Sequence, residues 1–212
     1  MLGRVTEDGR LYAVNALISN AKNVVFDVGQ VLLRFMPQEF LPQMFPQDIA
    51  DALMPPALFG GDTWLRMDEG VYSAEEAARI ITDKAGRPDL YEHELHFMLN
   101  FAKLMTQLPA AQLVYELKKM GKKLYVITNY GNETFAATRA QFPDLFSQFD
   151  GIILSAEEKL IKPDKRIYQL LLDRYQLKAE ECVFIDDLLA NAEGARAAGM
   201  QAIHYTGPEC LE

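Results

Sequence analysis

Five short apolar segments alternate with stretches of helical pattern along most of the chain, and this alternation limits the fold more than any other property. Each segment is rich in Val, Ile, Leu or Phe, as is typical of strands buried on both faces of a sheet. The predicted strands are Asn23–Asp27, Lys123–Thr128, Gly151–Leu154, Cys182–Ile185 and Gln201–His204. Strands that alternate with helices predict an α/β fold, a Rossmann-like parallel sheet with helices on both faces.

The segments between the predicted strands carry signals for where helices begin and end. Basic residues precede Gly121, which is typical of a helix C-terminus. Pro163 can begin a helix that runs from Asp164 to Tyr175, and small helix-forming residues extend from Ala190 to Ala198. We therefore expect one helix before the second strand and one helix before each of the last two strands.

Residues 28–122 lie between the first two predicted strands, a span far longer than an ordinary crossover needs. Ser73 and Glu76 fit a capping box at the start of one helix, and a second helical pattern runs from Leu90 to Met105. A helical insert here would cover the strand ends at which α/β proteins bind ligands. The expected divisions are an N-terminal extension at 1–22 with a short helix over Leu11–Ile18, a core at 23–37 and 107–212, and a helical cap at 38–106.

The composition restricts the class of protein. The 212 residues are 50% hydrophobic and 24% charged, which fits a globular protein rather than a disordered one. A net charge of -9 argues against nucleic acid as a partner, because phosphate backbones are bound by lysine and arginine. Two cysteines cannot form a disulfide framework, and no apolar run approaches the ~18 residues of a membrane span. We expect a cytoplasmic protein with no membrane partner; the sequence does not indicate an oligomeric state.

Side chains suited to phosphate chemistry follow four of the predicted strands. Taken singly, each has a simpler explanation, such as an Asp in a turn or a lysine on the surface. Two adjacent carboxylates repel each other, however, and are stable chiefly beside donors or a cation such as Mg²⁺, which prefers oxygen ligands. In chain order the residues are Asp27, the pair Thr128 and Asn129, then Lys162, and finally the pair Asp186 and Asp187.

The order and spacing of these four motifs resemble the haloacid dehalogenase-like hydrolase superfamily. The resemblance covers residues 23–207, and the insert resembles the small helical cap of the first subclass of that superfamily. Phe26–Leu32, Thr128-Asn129, and Lys162-Pro163 with Arg166-Ile167-Tyr168 are most similar to one branch. That branch includes the α-D-glucose-1-phosphate phosphatases and the phosphatase-like domains fused to epoxide hydrolases.

The resemblance implies a role for each motif residue. Asp27 would be the nucleophile that takes the phosphoryl group, and Thr128 and Lys162 would bind its oxygens. Asn129, beside them, is assigned to substrate binding. The implied cofactor is Mg²⁺, and its implied ligands are Asp27, the main-chain carbonyl of Gly29, Asp186 and Asp187.

The chain departs from the family pattern two residues after the nucleophile. Most phosphatases of the family carry a second Asp there, which acts as general acid and base, whereas this chain has Gly29. Loss of a proton donor costs on the order of 10² to 10⁴ in rate when the leaving group is poor. The resembling branch also tolerates Gly, so we expect an active enzyme and favour a substrate with a good leaving group, such as an anomeric or acyl phosphate. Lys159 is a second departure, because the family usually has Gly there.

The cap supplies candidate substrate contacts. Trp64 and Arg66 are assigned to substrate binding, although a tryptophan in a cap more often packs in its core. His93 and His96 lie three residues apart on a helix but lack a clear third metal ligand. The other candidates for substrate contact are Asp68, Glu69 and Tyr72.

The leading hypothesis is a Mg²⁺-dependent phosphatase acting on a small phosphorylated metabolite, with sugar phosphates among the candidates. One alternative is a 2-haloacid dehalogenase, in which an Asp attacks carbon without a metal. Gly29 fits that chemistry, but Asp186 and Asp187 do not. The other alternative is a catalytically silent module that holds a phosphorylated ligand, and Gly29 is the one feature that favours it.

Overall fold

The chain folds around a five-stranded sheet whose middle strand, Asn23–Phe26, is buried along its whole length. This computed structural model describes residues 3–5, 11–13, 15–54 and 61–212. The strands are β1 (Gly3–Val5), β2 (Leu11–Ala13), β3 (Asn23–Phe26), β4 (Leu33–Arg34), β5 (Thr106–Gln107), β6 (Lys123–Thr128), β7 (Gly151–Leu154), β8 (Cys182–Asp186) and β9 (Gln201–His204).

The central sheet has the order β7-β6-β3-β8-β9, and all neighbouring strands are parallel. Each of the five predicted strands is present, with bounds that differ by no more than a residue. The strand β3 lies in the middle, and its Phe26 aligns with Val126 of β6 and Ile185 of β8. The residues that follow these three positions therefore meet at the centre of one sheet edge.

Alternate residues of the sheet contribute to two separate cores. Val24 and Phe26 of β3 belong to the first core together with Leu113 and Leu117. Val25 belongs to the second, which contains residues of the two helices that precede and follow β8. Because successive side chains of a strand point to opposite faces, this pattern requires helices on both sides of the sheet. The predicted α/β fold is confirmed.

Twelve α-helices cover the described part of the chain. They are α1 (Ala16–Asn20), α2 (Pro37–Met44), α3 (Gln47–Leu53), α4 (Asp62–Asp68), α5 (Ala74–Lys84), α6 (Tyr91–Asn100), α7 (Pro109–Lys119), α8 (Asn132–Gln141), α9 (Pro143–Phe146), α10 (Ser155–Glu158), α11 (Lys165–Tyr175) and α12 (Leu189–Ala197). The helix α5 begins with the predicted capping box, in which the Ser73 and Glu76 side chains each accept the other residue's backbone N–H. The helical pattern over Leu90–Met105 becomes α6 followed by a 3₁₀ turn at Phe101–Leu104.

The helices α2–α6 form the insert between β3 and β6. The short strands β4 and β5 pair in antiparallel fashion, Leu33 with Gln107 and Arg34 with Thr106, and so join the two ends of the insert. We propose that residues 38–106 are a cap connected to the core through this two-stranded base.

The N-terminal extension differs from the expected short helix. Leu11–Ala13 is a strand that pairs with Gly3–Val5, and the helix α1 begins only after Asn15. The Asn15 side chain accepts the backbone N–H of Leu17, and a side-chain cap of this kind marks a helix start. The helix prediction over Leu11–Ile18 is therefore wrong for its first part and correct for its second.

None of the helices in the described ranges is long and apolar enough to cross a membrane.

Glu94 is an acidic residue buried inside the insert. It is fully buried on α6, and neither carboxylate oxygen has a hydrogen-bond partner among the residues that the structure describes. Burial raises the pKa of Glu94 to about 8, so the folded protein holds a neutral carboxylic acid near neutral pH. The unfolded chain releases that proton above the ordinary pKa of 4.5. Stability from this group is therefore complete below about pH 4.5 and falls as the pH rises to about 8.

We expect Glu94→Gln to be more stable than the wild type at pH 8 and close to it at pH 4.5. The difference in the free energy of unfolding should grow by up to about 1.4 kcal/mol per pH unit between these values, because each proton lost on unfolding contributes that slope. Urea titrations across this pH range measure it. Glu92→Gln, a change at an exposed position of the same helix, is the matched control. A stability difference for Glu94→Gln that stays constant with pH would contradict the prediction.

Candidate active site

Asp27 lies directly after β3, at the centre of the sheet edge. Its backbone N–H donates to the Ile185 carbonyl of β8 over 2.9 Å, which continues the ladder by a residue and fixes where the side chain emerges. Asp27 is 8% exposed. Thr128, at the end of β6, is also buried, and Asp27 and Thr128 line one cavity. The strand order therefore places both predicted residues at the same edge of the sheet.

Lys162 is buried between two carboxylates. Its Nζ lies 2.8 Å from Asp27 Oδ1 and donates to Asp186 Oδ2 over 2.6 Å. Burial alone would lower the pKa of Lys162, but the charges of Asp27 and Asp186 raise it above its ordinary value. Burial raises the pKa of Asp27, and the Lys162 ammonium opposes that shift. The ammonium is therefore held as a fixed positive charge beside the predicted nucleophile.

Asn129 fixes the backbone of Lys162. Its Oδ1 accepts the Lys162 N–H at 2.9 Å, and its Nδ2 donates to the Lys162 carbonyl at 3.2 Å. Asn129 also lines the cavity. Its two hydrogen bonds show that it also positions the lysine, a role that only the folded arrangement reveals.

Asn191 is a site residue that was not predicted from the sequence. Its Nδ2 donates to the two carboxylate oxygens of Asp186 over 3.0 and 3.1 Å. Its backbone carbonyl accepts the Tyr168 hydroxyl at 2.8 Å. The backbone N–H of Leu188 donates to Asp186 Oδ1 at 2.8 Å. Asp186 is thus held from the first turn of α12. The sequence signal that could have identified it is an Asn in the first turn of the helix that follows the Asp-Asp pair.

Asp27, Asp186 and Asp187 form an acidic group that fits a metal ion. One ligand atom from each lies within 4.8 Å of the others. Burial, together with the charges of Asp27 and Asp186, raises the pKa of Asp187 to about 6, and the Lys162 charge opposes this shift. A divalent cation would relieve this repulsion, and an all-oxygen donor set suits Mg²⁺. Gly29, whose carbonyl is the fourth predicted ligand, lines the same cavity.

A cavity of about 220 Å³ opens above these residues, between the core and the insert. Its floor is polar, and the wall supplied by the insert and its base is mainly apolar. The floor contains Asp27, Thr128, Asn129, Lys162 and Asp187, and the apolar wall contains Phe35, Trp64, Phe101 and Met105.

The two residues of α4 that were assigned to substrate binding lie in different surroundings. Trp64 lines the cavity, and its ring centroid lies 6.4 Å from that of Phe35. Arg66 is not among the lining residues: its side chain is 57% exposed and pairs with Glu69 at 2.8 Å. Residues two apart on a helix point in different directions, so the helix that brings Trp64 to the cavity directs Arg66 to solvent.

Both histidines of the insert pack against Phe45. The rings of His93 and His96 lie 5.4 and 5.8 Å from the ring of Phe45. Within the described ranges, neither histidine belongs to a group that could hold a metal ion.

The last residues of α4 and the turn after it are tied to the core. Ser155 Oγ donates to the Asp68 carbonyl, and Lys159 Nζ donates to the Gly70 carbonyl. Lys159 has φ 56°, the left-handed conformation that glycine adopts without strain. The lysine therefore keeps the backbone shape expected for the family's glycine and adds a contact to the insert.

The match to known proteins covers the region that contains this site. A family model described as haloacid dehalogenase-like hydrolase matches residues 21–199. The sesquiterpene phosphatase astK of Aspergillus oryzae is 28% identical over 193 residues, which are 90% of this chain and 94% of that protein. The bifunctional epoxide hydrolase 2 of Mus musculus is 27% identical over 79% of this chain, a match that spans 31% of the mouse protein.

The fold has solved counterparts. A haloacid dehalogenase family enzyme from Bacteroides thetaiotaomicron, in a magnesium complex, superimposes with a TM-score of 0.66 at 22% identity, covering 89% of this chain and 95% of that one. The family model spans most of the chain and every residue of the polar floor. The chain therefore belongs to the haloacid dehalogenase-like hydrolases.

Proposed function

We propose that this chain is a Mg²⁺-dependent phosphatase that hydrolyses a small phosphorylated metabolite through an aspartyl-phosphate on Asp27. The observation that carries the proposal is the buried Lys162 ammonium, 2.8 Å from Asp27 and 2.6 Å from Asp186. Positive charge beside a carboxylate allows it to approach a phosphate dianion. The relative named as a phosphatase and the magnesium complex of the similar structure support the same conclusion.

The residues of the floor have distinct roles in this reaction. Asp27 attacks the phosphorus, and the Thr128 hydroxyl and the Lys162 ammonium bind the phosphoryl oxygens. Asp27, Asp186, Asp187 and the Gly29 carbonyl would hold Mg²⁺, which supplies further positive charge against the phosphate when bound. Water then attacks the phosphorus and releases Asp27. Phosphoryl transfer depends mainly on positioning and charge stabilisation, and a rigid buried floor supplies both.

The acidic group distinguishes this proposal from the alternatives. A 2-haloacid dehalogenase, whose Asp attacks carbon, has no use for three carboxylates placed within 4.8 Å of one another. A silent ligand-binding module has no need of a buried carboxylate paired with an ammonium at the mouth of the cavity. Activity assays distinguish both alternatives from the proposed phosphatase.

The apolar wall supports a substrate whose organic group is hydrophobic. Phe35 and Phe101 pack with ring centroids 4.9 Å apart, and Trp64 lies beside Phe35. This wall offers few hydrogen-bond partners to the hydroxyls of a sugar and a favourable surface for an aromatic or aliphatic group. The name of the sesquiterpene phosphatase relative agrees with an apolar substrate. We therefore favour an apolar phosphate ester over a sugar phosphate.

The partner proposed here is the small substrate alone. The net charge of -9 gives no basis for a nucleic-acid partner. Cys182 and Cys210 are free thiols, which supports a reducing compartment and hence a cytoplasmic protein.

We expect the wild-type protein to hydrolyse p-nitrophenyl phosphate with Mg²⁺ and to lose this activity on chelation. Asp27→Asn should lower kcat by at least ~10³, because the amide cannot act as the nucleophile. Asp173→Asn, an exposed change on α11, is the matched control and should retain wild-type activity. Comparable activity of Asp27→Asn would contradict the proposal, as would halide release from a chloroacid in the presence of chelator. No turnover across a broad panel of phosphate esters, with ligand binding retained, would favour the silent module.

We expect esters with an apolar organic group, such as isoprenyl or aryl phosphates, to have higher kcat/KM than sugar phosphates. Trp64→Ala should raise KM for these esters by about tenfold, the effect of losing roughly 1–2 kcal/mol of apolar contact. Inhibition by inorganic phosphate should remain unchanged, because phosphate reaches only the floor. Leu65→Ala, at an exposed position next in the chain, is the control. Higher kcat/KM for sugar phosphates would show that the wall does not select for apolar groups.

A further inference from the structure

The proposed reaction requires a proton at a place where the chain carries no acid. When the bond between phosphorus and the ester oxygen breaks, an alkoxide leaves unless that oxygen is protonated. Gly29, two residues after Asp27, has no proton to give. A Cβ placed at Gly29 would meet nothing within 4 Å, so this part of the cavity is open space. A proton donor must therefore reach the leaving group from another wall.

The titratable groups that line the cavity are few, and most of them are committed. Asp27 is the proposed nucleophile, and Lys162 is paired with two carboxylates. Asp187 belongs to the acidic group suited to a metal ion. The Tyr130 hydroxyl lies 3.0 Å from Thr138 Oγ1, and burial raises the pKa of Tyr130 well above its ordinary value. The remaining titratable residue in the described part of the lining is Asp68.

Asp68 comes from the insert and is held firmly against the core. It is the last residue of α4, and its carbonyl accepts the Ser155 hydroxyl after β7. The backbone N–H of Gly131, after β6, donates to the Asp68 carboxylate. A Cβ at Gly131 would lie 3.0 Å from Met67, so the insert approaches the core closely at this point. These contacts fix Asp68 on the wall of the cavity. Among the described residues that line the cavity, Asp68 is the one acidic residue contributed by the insert.

The environment of Asp68 suits proton transfer at neutral pH. Burial raises the pKa of Asp68 to about 7; the Gly131 hydrogen bond and Lys162 oppose the shift, and the Asp27 charge adds to it. A group with a pKa near the working pH can both donate and accept a proton. Asp68 can therefore be an acid in one step and a base in the next.

We propose that Asp68 is the general acid and base of the reaction, supplied by the cap in place of an acid at position 29. This inference rests on the proposed phosphatase function. In the first step, an Asp27 oxygen bonds to phosphorus, the bond from phosphorus to the ester oxygen breaks, and the Asp68 carboxylic acid gives its proton to that oxygen. In the second step, the Asp68 carboxylate takes a proton from water as the water oxygen bonds to phosphorus. The bond from phosphorus to Asp27 then breaks, and phosphate, free Asp27 and protonated Asp68 are restored.

The test compares two leaving groups in the wild type and in Asp68→Asn, with Mg²⁺ present. A p-nitrophenolate leaves readily without a proton, whereas the butoxide of n-butyl phosphate does not. The measured quantity is kcat/KM, which reports the first step and not the hydrolysis of the aspartyl-phosphate. We expect Asp68→Asn to lower kcat/KM by about 10²–10³ for n-butyl phosphate and by less than about tenfold for p-nitrophenyl phosphate. Asp83→Asn, a change at an exposed acid of α5 in the same insert, should leave both values within about twofold.

The outcomes separate this inference from the proposed function. Equal losses of kcat/KM on both esters, or no loss on either, would overturn the role of Asp68 while activity that depends on Asp27 still supports a phosphatase. Retained turnover of p-nitrophenyl phosphate shows that Asp68→Asn is folded. Failure of the wild type to hydrolyse either ester would overturn the proposed function and this inference together.

Discussion

The buried ammonium of Lys162 is the charge around which the site is organised. An ionised lysine with 1% of its side chain exposed is tolerated only when carboxylates surround it. Asp27 and Asp186 supply them from the ends of β3 and β8, which are neighbours in the sheet. Removing one partner from such a buried group costs roughly 3–5 kcal/mol, because the remaining charges are left uncompensated. The order of the strands therefore sets where the catalytic charges lie, because it brings Asp27 and Asp186 to the same lysine.

Two asparagines extend this constraint into the surrounding structure. Asn129 binds the Lys162 backbone through both ends of its amide, and Asn191 binds both oxygens of Asp186. None of these four hydrogen bonds changes the charge of the site, but together they fix where the charges lie. Preorganised charge is the main means by which an enzyme lowers the barrier to phosphoryl transfer. The insert then completes the cavity with an apolar wall and with Asp68, so chemistry and selection of the organic group come from different parts of the chain.

The sheet and the floor could be predicted because both depend on local sequence patterns. The strands are continuous apolar runs, and their polar end residues must meet at one edge of a parallel sheet. The wall could not be predicted in the same way. Whether Trp64 or Arg66 reaches the cavity depends on the rotation of α4, and only the packed structure sets that rotation. The burial of Glu94 also escapes prediction, because an acidic residue is typical of a surface position even where its helical neighbours Phe97 and Met98 are apolar and buried.

The proposed reaction depends most directly on Asp27 carrying the phosphoryl group. The measurement that tests this is an acid quench of the enzyme during turnover of a phosphate ester with Mg²⁺, followed by peptide mass spectrometry. We predict that phosphate is found on the peptide that contains Asp27 and that the modification is removed by hydroxylamine, as expected for an acyl phosphate. Steady turnover with no phosphorylated Asp27 peptide, and direct attack of water on phosphorus shown by inversion of a chiral phosphate ester, would contradict it.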